Sequence, residues 1–308
     1  MIARRAFVKT GLASLVACRF ANFANKAPGS EPGSIPLSFS LYGMRDIPVS
    51  RAIESLASMG YKSVEFAALE GFATDPKKCS RTLRTEIRKT LNDQKISLVS
   101  VMESFPHSTD AHFLARYPDR IKKAAELFRD CSPNGEPLLE TILGGKPGGY
   151  AKDRDGLVAM LRSWEKPLES AEAKLAIKAH RFQMVNTHAI LADLLKAVDS
   201  PRIVAVFDPS HEPDPTTDCS PALEAIRGRL AFIHIKDVDW HTSPQKDAKF
   251  ALPGRGKLNW PAFVRALWSS PFRGPVCVEV SRQIWEAPGY DPLAGARESI
   301  AFLQKTLG

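Results

Sequence analysis

Residues able to move protons or hold a metal stand at the ends of apolar runs along this chain. "KLAIK" ends in Lys178 and is followed at once by His180 and Arg181, while "IVAVFD" ends in Asp208, with His211 three residues on. "FIHIK" brings His234 and Lys236, and "CVEV" brings Glu279. Earlier runs carry Glu65 in "KSVEF", Glu103 in "SVMES" and Glu140 in "LLETIL". A lysine costs several kcal/mol to desolvate without partners. Lys178 at the mouth of an apolar strand is therefore either a solvated strand end or a group aimed into a polar cavity. Asp208, His234 and Glu279 offer the oxygen and nitrogen donors that suit Mn²⁺, Mg²⁺ or Zn²⁺. The same groups can also serve as general acids and bases.

The elements that must position them form a repeating unit of apolar run, polar loop and amphipathic stretch. Eight apolar runs start near Leu37, Lys62, Ile96, Leu138, Leu175, Ile203, Leu230 and Val276. Strands apolar throughout, alternating with helices, imply a parallel sheet covered by helices. The helical signals include a stop at Gly60, an Asn259 cap followed by Trp260-Pro261, and 3.6-residue periods over Thr187 to Val198 and Gly295 to Leu307. Eight βα units fit an α/β fold of the closed (β/α)8 type, a single-domain TIM barrel over residues 35–308. An open doubly wound sheet would want GxGxxG after the first strand, where "SLYGMRD" has one glycine. "GGKPGG" (144–149) lacks the ending of a phosphate loop and reads as a tight βα loop that floors a ligand pocket. In a barrel the strand ends converge, so the Asp208, His234 and Glu279 positions point to one site above the axis.

The net charge of the 308 residues is +8. Five of those charges (Arg4, Arg5, Lys9, Arg19 and Lys26) lie in residues 1–27, which hold no acid, leaving +3 for the remainder. No basic stripe interleaved with aromatics is present, so a nucleic-acid partner is not expected. Residues 3–9, "ARRAFVK", resemble a twin-arginine export motif, and the apolar run Thr10 to Ala17 is too short to span a bilayer. "LVAC" resembles a bacterial lipobox with Cys18 as the lipidated residue; the alternative is a plain cleaved signal. Residues 28–34, "PGSEPGS", read as a linker. The expected address is the periplasm, either free or lipid-anchored to the membrane. Cys79, Cys131, Cys219 and Cys277 form no CxxC pair and are expected to be free, mostly buried thiols.

"GYKSVEF", "FDPSH", "FIHIKD", "LPGRGKLNW" and "CVEV" together resemble the xylose isomerase-like TIM-barrel superfamily, the sugar phosphate isomerase/epimerase group, from about Leu37 to Leu307. The resemblance implies one divalent ion held after strands five, six, seven and eight. The last three positions fall on Asp208, His234 and Glu279, with His211 as a substrate contact. The fifth-strand glutamate is here Lys178, which cannot ligate a metal while cationic. The fourth ligand would then come from His180, His211 or water, or the metal is absent.

The implied reaction is proton abstraction beside a carbonyl of a small, non-phosphorylated carbohydrate, giving isomerisation, epimerisation or β-elimination. Glu279 is the first choice of base. Lys178 is either its acid–base partner, if its pKa is lowered, or an electrophile standing where a metal would. His180, Arg181, Glu140, Lys236 and Arg255 are candidate substrate contacts, together with Trp240. Clustered carboxylates repel, so Asp208→Asn and Glu279→Gln are expected to leave stability unchanged or higher. Rival readings are a sugar lyase, a non-catalytic carbohydrate-binding barrel and an endonuclease IV-like repair enzyme. The last would need extra histidines after strands two and three, where "VEFAALEG" and "SVMESFPH" offer only His107 and carboxylates. Replacing Arg4 and Arg5 together by Lys is expected to hold precursor in the cytoplasm; unchanged export in a fractionation blot would refute the export reading.

Overall fold

The computed structural model describes residues 35–239 and 248–308. Eight parallel strands close into a barrel: β1 (Leu37–Ser40), β2 (Ser63–Ala67), β3 (Ser97–Met102), β4 (Leu138–Thr141), β5 (Lys174–Lys178), β6 (Ile203–Phe207), β7 (Leu230–Ile235) and β10 (Val276–Val278). β10 pairs with both β7 and β1, which completes the ring. Between β7 and β10 lies a two-stranded antiparallel hairpin of β8 (Asp237–Asp239) and β9 (Lys249–Ala251). The barrel strands coincide with the eight apolar runs of the sequence. The signal segment 1–27 with Cys18, the linker 28–34 and Trp240 lie outside the described residues.

Helix ends follow their local chemistry. The helix Val49–Met59 stops at Gly60, whose φ of 102° is left-handed and costs a glycine little. Thr187 caps the helix His188–Val198 by accepting the Ile190 N–H, and Asn259 caps Trp260–Ser269 by accepting the Ala262 N–H. The last helix begins at Pro292, three residues before Gly295. Asp291 accepts the N–H groups of Leu293 and Ala294, and a proline fits the first helical turn. The four described cysteines are free and buried.

The barrel has two separate apolar layers. Outward residues such as Phe39, Leu139, Ile177, Phe207 and Ile233 join the large core beneath the helices. Inward residues Leu138, Ala176, Val204, Val206, Phe232 and Cys277 form a small cluster inside the barrel. Strand side chains alternate with period two, so each inner residue is followed two positions on by a group higher in the same channel. Leu138 leads to Glu140, Ala176 to Lys178, Val206 to Asp208, Phe232 to His234 and then Lys236, and Cys277 to Glu279. That period delivers the polar set to the C-terminal mouth above a dry floor.

The long loop after β7 is held by one buried carboxylate. Asp237 accepts N–H groups from Val238 at 2.8 Å, Leu258 at 2.9 Å and Gly254 at 3.0 Å, and the Trp260 indole N–H at 2.9 Å. Gly256 allows this close approach, since a Cβ there would lie 2.3 Å from Asp237 Oδ1. The "GGKPGG" loop is also tight, with positive φ at Gly144, Gly145 and Gly148. Gly144 carbonyl accepts the Met184 N–H at 2.9 Å, and a Cβ on Gly145 would meet Met184 at 2.6 Å. It packs against the β5 loop. Asp237→Ala leaves four donors without their acceptor, three of them in buried bonds, and is expected to cost about 3 kcal/mol or more. For a barrel of this size that lowers Tm by roughly 6–12 °C. Calorimetry checks it; a shift within a degree or two would show that the loop does not depend on this carboxylate.

Candidate active site

Inside the barrel mouth, two ammonium groups meet on one carboxylate oxygen. Glu279 Oε2 accepts from Lys178 Nζ at 2.9 Å and from Lys236 Nζ at 2.7 Å. Lys236 also donates to Asp208 Oδ2 at 2.5 Å. Lys178 also donates to His234 Nδ1 at 3.1 Å and lies 3.4 Å from Glu140 Oε1. Both lysines are almost wholly buried, at 3% exposed for Lys178 and 2% for Lys236. Such charges survive burial only when paired. Lys178 is therefore no solvated strand end but a buried, paired member of a polar cluster inside the barrel.

Each charge has an identifiable balance. Burial works against the Lys178 ammonium, but the carboxylates of Glu140, Glu279 and Asp208 outweigh it and push the pKa up. A lowered lysine pKa, the condition for Lys178 as an acid–base group, is therefore not met. Burial would raise Glu279, yet Lys178 and Lys236 hold it well below the usual carboxylate range. Asp208 is lowered too, its burial being offset by Lys236 and Lys178; Ser210 adds bonds from N–H at 3.1 Å and Oγ at 2.6 Å. Glu140 goes the other way: its burial dominates over Lys178 and raises its pKa to about 7.

His234 is fixed from both sides. With the Lys178 ammonium on Nδ1, that nitrogen accepts, so Nε2 carries the proton toward Glu65 Oε2 at 3.0 Å. Glu65 is braced by Ser100 Oγ at 2.8 Å. Nearby, the rings of His180 and His211 lie 4.1 Å apart. Burial, then Lys178 and Lys236, lowers His180 to about 3; burial and His180 depress His211 as well, so both rings are neutral. Arg181 N–H donates to His211 Nδ1 at 3.4 Å, which leaves the proton on Nε2, 3.5 Å from Asp208 Oδ2 and with no hydrogen bond.

The structure thus brings together Lys178, Glu140, Asp208, His211, His234, Lys236 and Glu279, with His180 alongside. Arg181 contributes its backbone, and its guanidinium reaches the Glu212 carbonyl. Arg255 is not part of the group: its exposed side chain pairs with Glu298 in the C-terminal helix. Glu103 is bonded to Arg120 and lines a separate cavity of about 560 Å³. The sequence reading missed His188, whose Nε2 accepts the Asp208 N–H at 3.3 Å while Nδ1 meets Glu212. It also missed Tyr42, which follows β1 and packs edge-on against Trp285 at 5.4 Å and stacks on Phe72 at 5.5 Å. Burial raises the Tyr42 pKa, and the Glu279 charge raises it further, which places this ring beside the charged group. His188 opens the helix His188–Val198 and Tyr42 lies in the short helical turn Leu41–Met44, and a helical period marks such positions as helical without showing that they reach the site.

Asp208, His234 and Glu279 bring one ligand atom each within 4.8 Å of one another, a set able to take a divalent ion. Asp208 Oδ2, Glu279 Oε2 and His234 Nδ1, however, each already accept from a lysine ammonium. A dication about 4 Å from one such ammonium would meet roughly 8 kcal/mol of repulsion at an effective dielectric near 20. With both lysines charged and in place, these residues do not fit a divalent metal. Glu65, His234 and Cys277 also lie within 4.8 Å of one another, and burial pushes the Cys277 thiol well up.

The family model described as xylose isomerase-like TIM barrel matches residues 53–306. No curated protein matches the sequence. Among solved structures, the chain is similar to the IolI protein with a bound zinc atom at 15% identity and TM-score 0.74, covering 89% of this chain and 98% of that one. It is also similar to 3-keto-D-glucoside 4-epimerase from E. coli at 16% identity and TM-score 0.68, covering 88% and 99%. A xylose isomerase-like TIM barrel/4-hydroxyphenylpyruvate dioxygenase fusion protein matches at 15% identity and TM-score 0.73 over 89% of this chain, which spans 42% of the fusion's length.

The carboxylates here are paired with cations, so the expectation that their removal is neutral or stabilising is reversed. Glu279→Gln is expected to lose about 3 kcal/mol at pH 7 by leaving two buried ammonium groups short of an anion. Its folded pKa is depressed, so the wild-type advantage is full above pH 4.5 and is lost as pH falls through the folded value. Urea melts at pH 7 and at progressively lower pH check this; equal stability at pH 7 would contradict the pairing.

Proposed function

The chain belongs to the xylose isomerase-like TIM-barrel family, and from that premise we propose that it is an enzyme that isomerises or epimerises a carbohydrate by proton transfer beside a carbonyl. The observation that carries this reading is Glu140. It is 1% exposed, its Oε1 has no hydrogen-bond partner, and its pKa lies near 7 while Glu279 is held ionised close by. Two carboxyl groups with pKa values pushed apart are the usual basis for dividing acid and base roles. A group near pH 7 is best poised to take a proton and return it.

Glu140 takes the proton from the carbon next to the carbonyl and returns it to the neighbouring carbon on the same face, which is isomerisation; epimerisation requires a second proton donor on the opposite face of the substrate. Glu279, bound by two ammonium groups, is a poor base and serves as the anion that positions them. His211 offers its Nε2–H as a donor to a substrate oxygen. Tyr42, Phe72 and Trp285 form an apolar wall suited to the C–H face of a sugar ring. β-Elimination begins with the same proton abstraction and differs only in what leaves. The non-phosphorylated substrate and the periplasmic address rest on the export motif of residues 1–27.

Glu140→Gln is expected to lower proton exchange between substrate and D₂O by about 10²-fold or more. In the wild type, exchange should rise with pH through about 7 as Glu140 ionises. Stability has the opposite sign. A raised carboxyl pKa costs folding energy as pH climbs from 4.5 toward 7, so Glu140→Gln should gain stability relative to wild type at pH 8 and lose that gain near pH 4. Proton NMR of candidate ketoses in D₂O and melts at the two pH values check both. Undiminished exchange in Glu140→Gln would remove Glu140 from the chemistry.

A further inference from the structure

We infer that the ammonium groups of Lys178 and Lys236 together replace a divalent cation in this barrel, providing a fixed double positive charge to stabilise the substrate oxyanion without a metal. Four observations converge. The three ligand-type atoms of Asp208, His234 and Glu279 are close enough to share one ion. Each is instead the acceptor of a lysine. The lysines come from separate strand ends, β5 and the residue after β7, and are buried at the point where those ligands converge. Among the described residues no other lysine is buried.

The two ammonium groups are not equivalent. An ammonium has three N–H donors. Lys178 donates to Glu279 and His234, and its third N–H is turned to the Glu140 carboxylate, whose Oε1 lies 3.4 Å away without a hydrogen bond. Lys236 has two oxygen acceptors, Asp208 and Glu279, and its Nζ lies 5.1 Å from the centre of the Phe250 ring. Lys236 therefore keeps one donor for an incoming oxygen, while Lys178 supplies charge and holds Glu279. His211 Nε2, beside Asp208, adds a neutral donor to the same place. An enolate oxygen formed by proton loss would be met by one ammonium N–H and one imidazole N–H, at the position where a metal would have polarised it.

The oxyanion role rests on the proton-transfer reading above; the replacement of the cation does not, and it is tested without substrate. The full chain, purified without chelator, is expected to hold metal far below one ion per chain by mass spectrometry. Mn²⁺, Zn²⁺ or EDTA should shift its Tm by less than about 1 °C, since an ion bound at this site would stabilise the fold. Stoichiometric bound metal, or a clear Tm rise with either ion, would overturn the inference. Lys178→Glu adds a ligand and removes one ammonium, and should bind Mn²⁺ at least about tenfold tighter than wild type by calorimetric titration. Lys178→Gln, which removes the charge and adds no carboxylate, should fall between the two. If both variants bind no tighter than wild type, the lysines do not occupy the cation's place. Absence of sugar proton exchange would count against the proposed function alone, and the titrations judge the charge replacement alone.

Discussion

Two lysines sharing one carboxylate oxygen is the interaction on which the rest of the site depends. Glu279 Oε2 carries both ammonium groups, and through them Asp208, Glu140 and His234 are held at fixed distances. Removing two ammonium ions and several carboxylates from water is costly, and only near-complete mutual pairing offsets it. The arrangement leaves Glu140 as the group with least compensation, which is why it keeps its proton up to about pH 7. Reactivity here follows from an incomplete charge balance: the anions bonded by Lys236 are locked, and the one that Lys178 reaches only at 3.4 Å can titrate.

The barrel makes that network possible because it delivers each member by strand period from a separate strand. Leu138, Ala176, Val206, Phe232 and Cys277 fill the channel below and keep it dry, so the charges above interact at short range and with weak screening. Tightly packed interiors resist displacement, so the nitrogen–oxygen distances are set by the backbone rather than by side-chain freedom. Asp237 has a related structural part just outside the site. It ties the loop after Lys236 to the start of the helix at Trp260 through four donors, three of which would otherwise be buried unsatisfied.

Much of this was legible in the sequence, and the limits have physical causes. Strand positions could be read because a strand buried on both faces must be apolar throughout. Asp208, His234 and Glu279 could be placed at one end because a parallel barrel aligns all its strand ends. Lys178 was recognisable as anomalous, but its pKa direction was not, since that depends on which carboxylates lie nearest in space. Lys236 read as a candidate substrate contact, but its bond to Glu279 could not be read, because it spans 43 residues and has no local signature. Arg255 looked like a substrate contact, whereas its loop turns it outward onto Glu298. His188 and Tyr42 act through contacts that no spacing rule encodes.

A pair of ammonium groups differs from a metal ion in ways that constrain the chemistry. A dication can accept several oxygen ligands and exchange them, whereas each lysine offers directional N–H donors, most of them already committed to Asp208, Glu279 and His234. Bidentate chelation of a substrate diol is therefore not available here. A single developing oxyanion, met by the remaining Lys236 donor and the neutral His211 ring, is what the geometry accommodates. The positive charge is covalently attached and has no dissociation equilibrium, so it is present in every folded molecule. Its retention depends instead on the lysines staying protonated, and the surrounding carboxylates favour that for Lys178 even in a nearly dry channel. The same carboxylates that could have bound a metal thus keep in place the charge that excludes one.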